Sequence, residues 1–336
     1  KKKVNVLKDI SGANFLAAMT LLVSYKKKLA NKGKTEVAAT CKKRDILRLD
    51  IKDYLDNHDA LVNGFNSAAD FLVHQGIFRA SDLPYTSQII PLAAIFAYDN
   101  ENNHYFNVQS NLDHLRQWYW CGVFGELYGG ANEARFALDI VEVFEWIGGG
   151  EKPNTVIRAN FQPLRLLSMQ TRNSAAYKGV MAVIMQDSPL DFKTGNKMDV
   201  ASYLDEYTDI HHIFPQEYCK QKKYPDVKIY ILALAQKEYY TDPIVKHGYM
   251  RGTETAGYVD KIIKKGTDRE VVLKAIASHK VSTELLLADN FEGYFVDRAI
   301  RILDRIELAT GKSIAGRDSE ETIKEFGKSL IRKCEQ

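Results

Sequence analysis

Apolar residues that recur every three or four positions constrain this chain more than any other feature. Phe15, Met19 and Leu22 share one helical face. So do Val62, Phe65, Ala69 and Leu72, after a polar stretch over 53–60 that sits close to a helix start. Phe136, Ile140, Val143 and Ile147 repeat the pattern until IGGGEKP stops it. Near the end, Phe291, Phe295, Ala299, Ile302 and Ile306 share a face, as do Ile323, Phe326 and Leu330. The spacing predicts a mainly α, multi-helical scaffold.

Punctuation refines that reading. In LPYTSQIIPLAAIFAY (83–98), Pro91 is expected near a helix start, where its missing N–H costs little. WYWCGVFGELYGG (118–130) reads as a packed core element ending in a tight turn. Its glycines lack the spacing of a dinucleotide loop, and no P-loop signature occurs. VMAVIMQ continues a helix begun near Ser174, and DSPLDFKTGNKMD (187–199) is a turn-rich connector suited to an internal boundary.

The 336 residues, 45% hydrophobic, suffice for one large or two to three smaller domains. A net charge of only +3 means that any nucleic-acid surface must be local. Cys41, Cys121, Cys219 and Cys334 form no CxxC pair, which argues against a disulfide scaffold and for buried thiols. No apolar run is long enough for a bilayer and no signal-peptide pattern is present, so an intracellular protein with no membrane partner is expected. The opening KKKVNVLKD lacks a methionine, as in a fragment or a processed chain.

DIHHIFPQEYC (209–219) is the stretch with the most chemistry. As a strand it puts Ile210, His212 and Phe214 on one side and Asp209, His211 and Ile213 on the other. One imidazole could bind a metal while its neighbour serves a water, the arrangement that phosphodiester hydrolysis needs. The competing reading is one surface histidine beside one satisfied core histidine.

The same stretch resembles the D-x-[DH]-H-x-x-P signature of HNH, or His-Me finger, endonucleases. With LRLLSMQTRNSAAYKGVMAVIM (164–185), DFKTG (191–195), CKKRDILRL (41–49) and DLPYTSQIIPLAAIF (82–96), the chain is similar to the later part of two-domain prokaryotic proteins of the GmrSD kind. Those join a ParB-like N-terminal domain to an HNH-like nuclease domain in modification-dependent restriction and antiphage defence. The resemblance implies a small ββα-metal core at about 205–260, within a nuclease-like domain over 151–336 that follows a helical domain over 1–150. It implies a metal-dependent DNA endonuclease with His212 as general base and His211 as metal ligand, Asp209 supporting. Its cofactor would be a divalent ion, Mg²⁺ first and Mn²⁺, Ni²⁺ or Zn²⁺ as alternatives. Its partners would be DNA, plain or modified, and a ParB-like domain absent from this chain, and its location the prokaryotic cytoplasm.

The family's downstream asparagines are missing: none occurs from 197 through 289. Asp242 then stands as second metal ligand, with His247 as its alternative, and the first asparagine position falls near Ala233. A catalytically degenerate HNH-like module that binds DNA or protein is the other expectation. Arg172, Lys178, Lys222 and Lys223 are the candidate contacts to phosphate.

Overall fold

The computed structural model describes residues 6–33, 37–130, 132–169, 171, 173–187, 189–191, 195–197, 208–212, 232–236, 268–288 and 290–331. The chain divides into two compact units, Lys1–Asn160 with Ala309–Gly311, and Phe161–Leu308 with Lys312–Gln336.

The first unit is helical among its described residues. It contains α1 (Gly12–Ala30), α2 (Lys43–Ile46), α3 (Ile51–His74), α4 (Ile89–Glu101), α5 (Gln109–Phe124), α6 (Glu133–Ile147) and α7 (Asn154–Arg158). Local chemistry starts two of the long helices. Ser11 Oγ accepts from the Asn14 N–H at 3.2 Å while Asn14 Oδ1 accepts from the Ser11 N–H at 3.1 Å, a reciprocal cap on α1. The Asp50 carboxylate accepts from the Lys52 N–H at 2.9 Å and opens α3. Pro91 is the third residue of α4, where no intrahelical bond is lost.

Packing then selects which faces are buried. Phe65, Ala69 and Leu72 of α3 are buried as their spacing implies, but Val62 is 37% exposed. The approach of α4 rotates the buried stripe toward Gly64. A Cβ on Gly64 would lie 2.4 Å from the Ala93 carbonyl oxygen and 2.7 Å from Ala97 Cβ, so the two backbones meet where only hydrogen fits.

Asp139, on α6, is 1% exposed and ties four segments together. Trp118 Nε1 of α5 donates to Oδ1 at 3.0 Å, and the Thr155 hydroxyl of α7 donates to the same oxygen at 2.6 Å. The Tyr128 hydroxyl, from the α5–α6 turn, donates to Oδ2. Burial pushes the Asp139 carboxyl above its usual range, opposed by those three bonds and by Arg135. Burial and the adjacent carboxylate push the Tyr128 phenol well up, so it stays a donor.

The second unit holds a 3-10 turn at Pro163–Ser168, α8 (Ala175–Met185), β1 (Thr208–His212), β2 (Leu232–Gln236), α9 (Arg269–Ser278), α10 (Thr283–Leu287), α11 (Phe291–Thr310) and α12 (Glu320–Ile331). The last residues of α11 are counted with the first unit, where Gln117 donates to the Thr310 carbonyl at 2.8 Å. Ser174 caps α8 through the Tyr177 N–H at 3.2 Å, as its place before the buried run implies. The α11 stripe Phe291, Phe295, Ala299, Ile302 and Ile306 is fully buried, at 1% exposure or less. The connector over 187–199 does not mark the boundary between units. Its described residues are built into the second unit, with the Leu190 N–H donating to Ser278 Oγ at 2.9 Å. His279 Nε2–H donates to the Leu190 carbonyl at 3.1 Å, and the buried Arg298 reaches the Tyr294 hydroxyl at 3.0 Å and the His279 carbonyl at 3.3 Å.

The expected ββα-metal core is corrected here. β1 and β2 pair antiparallel, with His211 opposite Ala233 and His212 opposite Leu232. Among the described residues no helix follows β2 until Arg269, and no three His, Cys, Asp or Glu side chains come together to hold a metal. Among the described residues the fold is mainly α with a two-stranded ribbon. No described helix is long and apolar enough to cross a membrane.

Two outcomes follow from this packing. Gly64→Ala should lower stability by about 1–3 kcal/mol, despite alanine's better helix propensity, because the clash is with backbone atoms. A denaturation midpoint equal to or above the parent's would refute the close approach. His279 is held neutral: burial lowers its pKa to about 4 from the usual 6.5, aided by Arg298 and opposed by the bond to Leu190. A depressed pKa contributes stability that is full above 6.5 and is lost as pH falls toward about 4. Chemical unfolding followed across that window should show a shallower pH slope for His279→Gln than for the parent, and equal slopes would reject the buried neutral imidazole.

Candidate functional site

The C-terminal ends of α1, α4 and α6 converge on an open cleft of about 670 Å³ in the first unit. Its floor is aromatic. Tyr25 stacks on Phe144 at 5.6 Å between ring centroids, and Tyr98 meets Phe144 edge-on at 5.0 Å. Tyr105 lies 6.4 Å from Phe144 and is 38% exposed at the lip. Its place is set by Asp99, a buried residue of α4 whose carboxylate accepts from the Tyr105 N–H at 2.7 Å and the Phe106 N–H at 3.3 Å. Burial pushes the Asp99 carboxyl up, and those two N–H groups pull it down. Asp99 is a positioning residue for the lip.

The polar groups of the cleft divide by charge. Burial, with Tyr98, Glu145 and Tyr105 nearby, pushes the Tyr25 phenol up; burial and Tyr105 do the same to Tyr98. Both therefore remain neutral hydroxyls able to donate. Of the lysine run after Tyr25, Lys26 is held by Asn57 at 2.7 Å and by Glu101, and Lys27 by Asp53 at 2.5 Å. Lys28 and Lys32, on the cleft's rim, form no ion pair with a described residue, and Glu145 is the acid of the lining. Gly33, at φ +82°, turns the chain back after α1 beside them. Two lysines against one glutamate leave the rim cationic over apolar ring faces.

This is not where the sequence placed the chemistry. Asp209, His211 and His212 lie on β1, with the backbone register given above and their side chains outside the description. Asp242, His247, Arg172, Lys222 and Lys223 lie outside the described residues. Lys178 is on α8, half-buried, in the second unit. The divalent ion assigned to His211 and Asp242 thus has no described donor set. What the sequence reading missed is Tyr25, Tyr98, Tyr105 and Phe144 as one group. They stand up to 119 residues apart in sequence (144 − 25), and each is an ordinary core or turn residue to a local reading.

Comparison with known proteins corrects the family resemblance. No family model matches the chain. It is similar to an uncharacterized protein of Methanocaldococcus jannaschii, 28% identical over 195 residues, covering 54% of this chain. The chain spans 31% of the length of that relative. Neither finding carries a GmrSD-like or ParB/HNH architecture. The metal-dependent endonuclease, with His212 as base and His211 and Asp242 as ligands, is set aside together with its restriction and antiviral assignments. The described residues supply no metal-holding cluster. The degenerate HNH-like module rested on the same core and is set aside with it.

Proposed function

We propose that the first unit is a binding module for nucleic acid, and that its cleft takes one unpaired nucleotide. The base lies against the ring faces of Tyr98 and Tyr105, and the attached phosphate meets Lys28 and Lys32. The observation that supports this reading is the pairing of an aromatic floor with two lysines that form no ion pair with a described residue, in a cleft of about 670 Å³. Bases of any sequence offer a π-face, and stacking on an aromatic side chain contributes roughly 1–3 kcal/mol per base. Lysine acts on phosphate as a point charge and needs no fixed fork. Phenol hydroxyls of Tyr25 and Tyr98 can donate to a base edge. A duplex hides the base faces that such a floor would use, so the reading is for a single strand or a strand end.

The DNA partner expected from sequence returns in this narrower form, through the helical unit. Affinity is modest in this reading because the chain's net charge is only +3. A cytoplasmic, prokaryotic setting goes with it. Cys41 and Cys121 are buried thiols outside any disulfide, and burial beside Glu133 and Asp45 pushes the Cys41 thiol up to about 12, which disfavours the reactive thiolate.

Fluorescence anisotropy of labelled single-stranded and duplex oligonucleotides, in chelator-containing buffer, tests the reading. The single strand should bind more tightly than the duplex. Tyr105→Ala should weaken binding by about 5–150-fold, the equivalent of the stacking energy, with an unchanged melting temperature because the ring is at the lip. Replacing Lys28 and Lys32 with glutamine should reduce the salt dependence by about 0.7 of a log–log unit for each lysine. Duplex bound as tightly as single strand, with Tyr105→Ala equal to the parent, would reject it.

A further inference from the structure

Helix α3 carries aliphatic side chains that its own unit does not cover. Its inward face holds Asn57, Ala60, Leu61, Gly64 and Phe65. Leu47, just before the helix, and Ile51 and Leu55, in its first two turns, are 79%, 70% and 66% exposed. Ile51, Leu55 and Val62 follow one another at intervals of four and seven residues, which puts them on one stripe of an α-helix. Phe15 of α1 meets Tyr54 and His58, at 6.4 and 6.0 Å between ring centroids, and the stripe beside them stays open. Single exposed aliphatics are ordinary, but a row of them along one helix marks a contact surface. Nothing in the nucleotide reading uses this face.

The charges along the stripe select what can cover it. Lys42, Lys43, Arg44 and Arg48 precede α3 and are exposed. Arg48 forms no ion pair with a described residue. Arg44 has the Asp45 carboxylate at 3.6 Å, and that carboxylate already accepts from the Thr40 hydroxyl at 2.7 Å. Most acids of the helix are engaged within the chain: Asp50 caps it, Lys27 holds Asp53 and Lys52 holds Asp56. Asp59, one turn beyond Leu55, is different. Its side chain is 98% exposed, and its ionic neighbour is His58 at 2.9 Å. The face thus runs from a basic start to an acidic end, with Ile51 and Leu55 between. A surface of that polarity is complementary to itself when turned end for end.

We propose that this face is an interface between two copies of the chain, in which their α3 helices pair antiparallel about a two-fold axis. With the axis passing α3 at residues 53–54, Ile51 meets Leu55 of the second copy and Arg48 reaches Asp59 of the second copy. Each contact then occurs twice, as a two-fold interface requires. The antiparallel sense also opposes the two helix dipoles. A parallel pair would set Arg48 and Asp59 each against its own like, which is repulsive. Leu47 lengthens the apolar strip at both ends. A strip this short makes a dimer of micromolar strength that forms and parts with concentration.

Sedimentation velocity of the full chain, from nanomolar to high micromolar concentration, tests the pairing. The parent should pass from monomer to dimer. Leu55→Asp should remain monomeric throughout, with a melting temperature at low concentration matching the parent's, because the leucine it replaces is exposed. Arg48→Glu and Asp59→Arg should each dimerise roughly 10-fold or more weakly than the parent, since each homodimer then carries two like-charge contacts. An equimolar mixture of those two variants should recover the parent's affinity, because one chain presents only acids and the other only bases at these positions. Recovery on mixing separates a pairing from mere damage to the fold. A parent that stays monomeric at every concentration leaves the face to a different partner and overturns the proposal. Dimerisation of Leu55→Asp at the parent's strength also overturns it, as does a mixture no tighter than its components. None of these variants touches the lining of the aromatic cleft, so the result is independent of the nucleotide reading.

Discussion

The carboxylate of Asp139 is the interaction on which the first unit depends. A buried acid is unfavourable unless its oxygens are filled, and here an indole, a phenol and a hydroxyl fill them from three separate segments. Each donor is itself buried, so removing the acceptor would strand three polar groups at once. The bonds fix where α5, the following turn and α7 stand against α6. That helix in turn presents Val141, Phe144 and Glu145 to the aromatic cleft. The candidate binding surface therefore inherits its geometry from one desolvated side chain.

The helices were readable because their determinants are local. Ser11, Asp50 and Ser174 cap the helices they precede, and the α11 stripe is buried residue for residue. Val62 shows where local reading ends: its spacing is right, but Gly64 lets α4 approach from another side, and a neighbour's position is not written in a helix's own period. The connector over 187–199 is polar and turn-rich, yet Leu190 is bonded to Ser278 and His279 of the second unit. Composition reports that a segment turns, and partners 88 residues away decide whether it also separates domains.

The candidate site was less legible for a physical reason. Adjacent histidines draw the eye because their chemistry is visible in a short word of sequence. A cleft made from Tyr25, Tyr98, Tyr105 and Phe144 has no such word: each ring is one apolar residue among many, and only helix packing makes them neighbours. The lysine run was visible, but which of its members are held in place depends on Asp53, Asn57 and Glu101 from two other helices. Net charge conceals such a distinction, since paired and unpaired lysines count alike.

The close fit at Gly195 has a consequence for which changes the turn can accept. A Cβ there would lie 2.6 Å from Val271 Cγ1, and Leu190 pairs with Lys197 across a short bridge. Gly195 also holds φ at +68°, so a larger residue meets backbone strain and the valine together. A polar, turn-rich word of sequence that looks permissive is thereby among the least substitutable points of its unit.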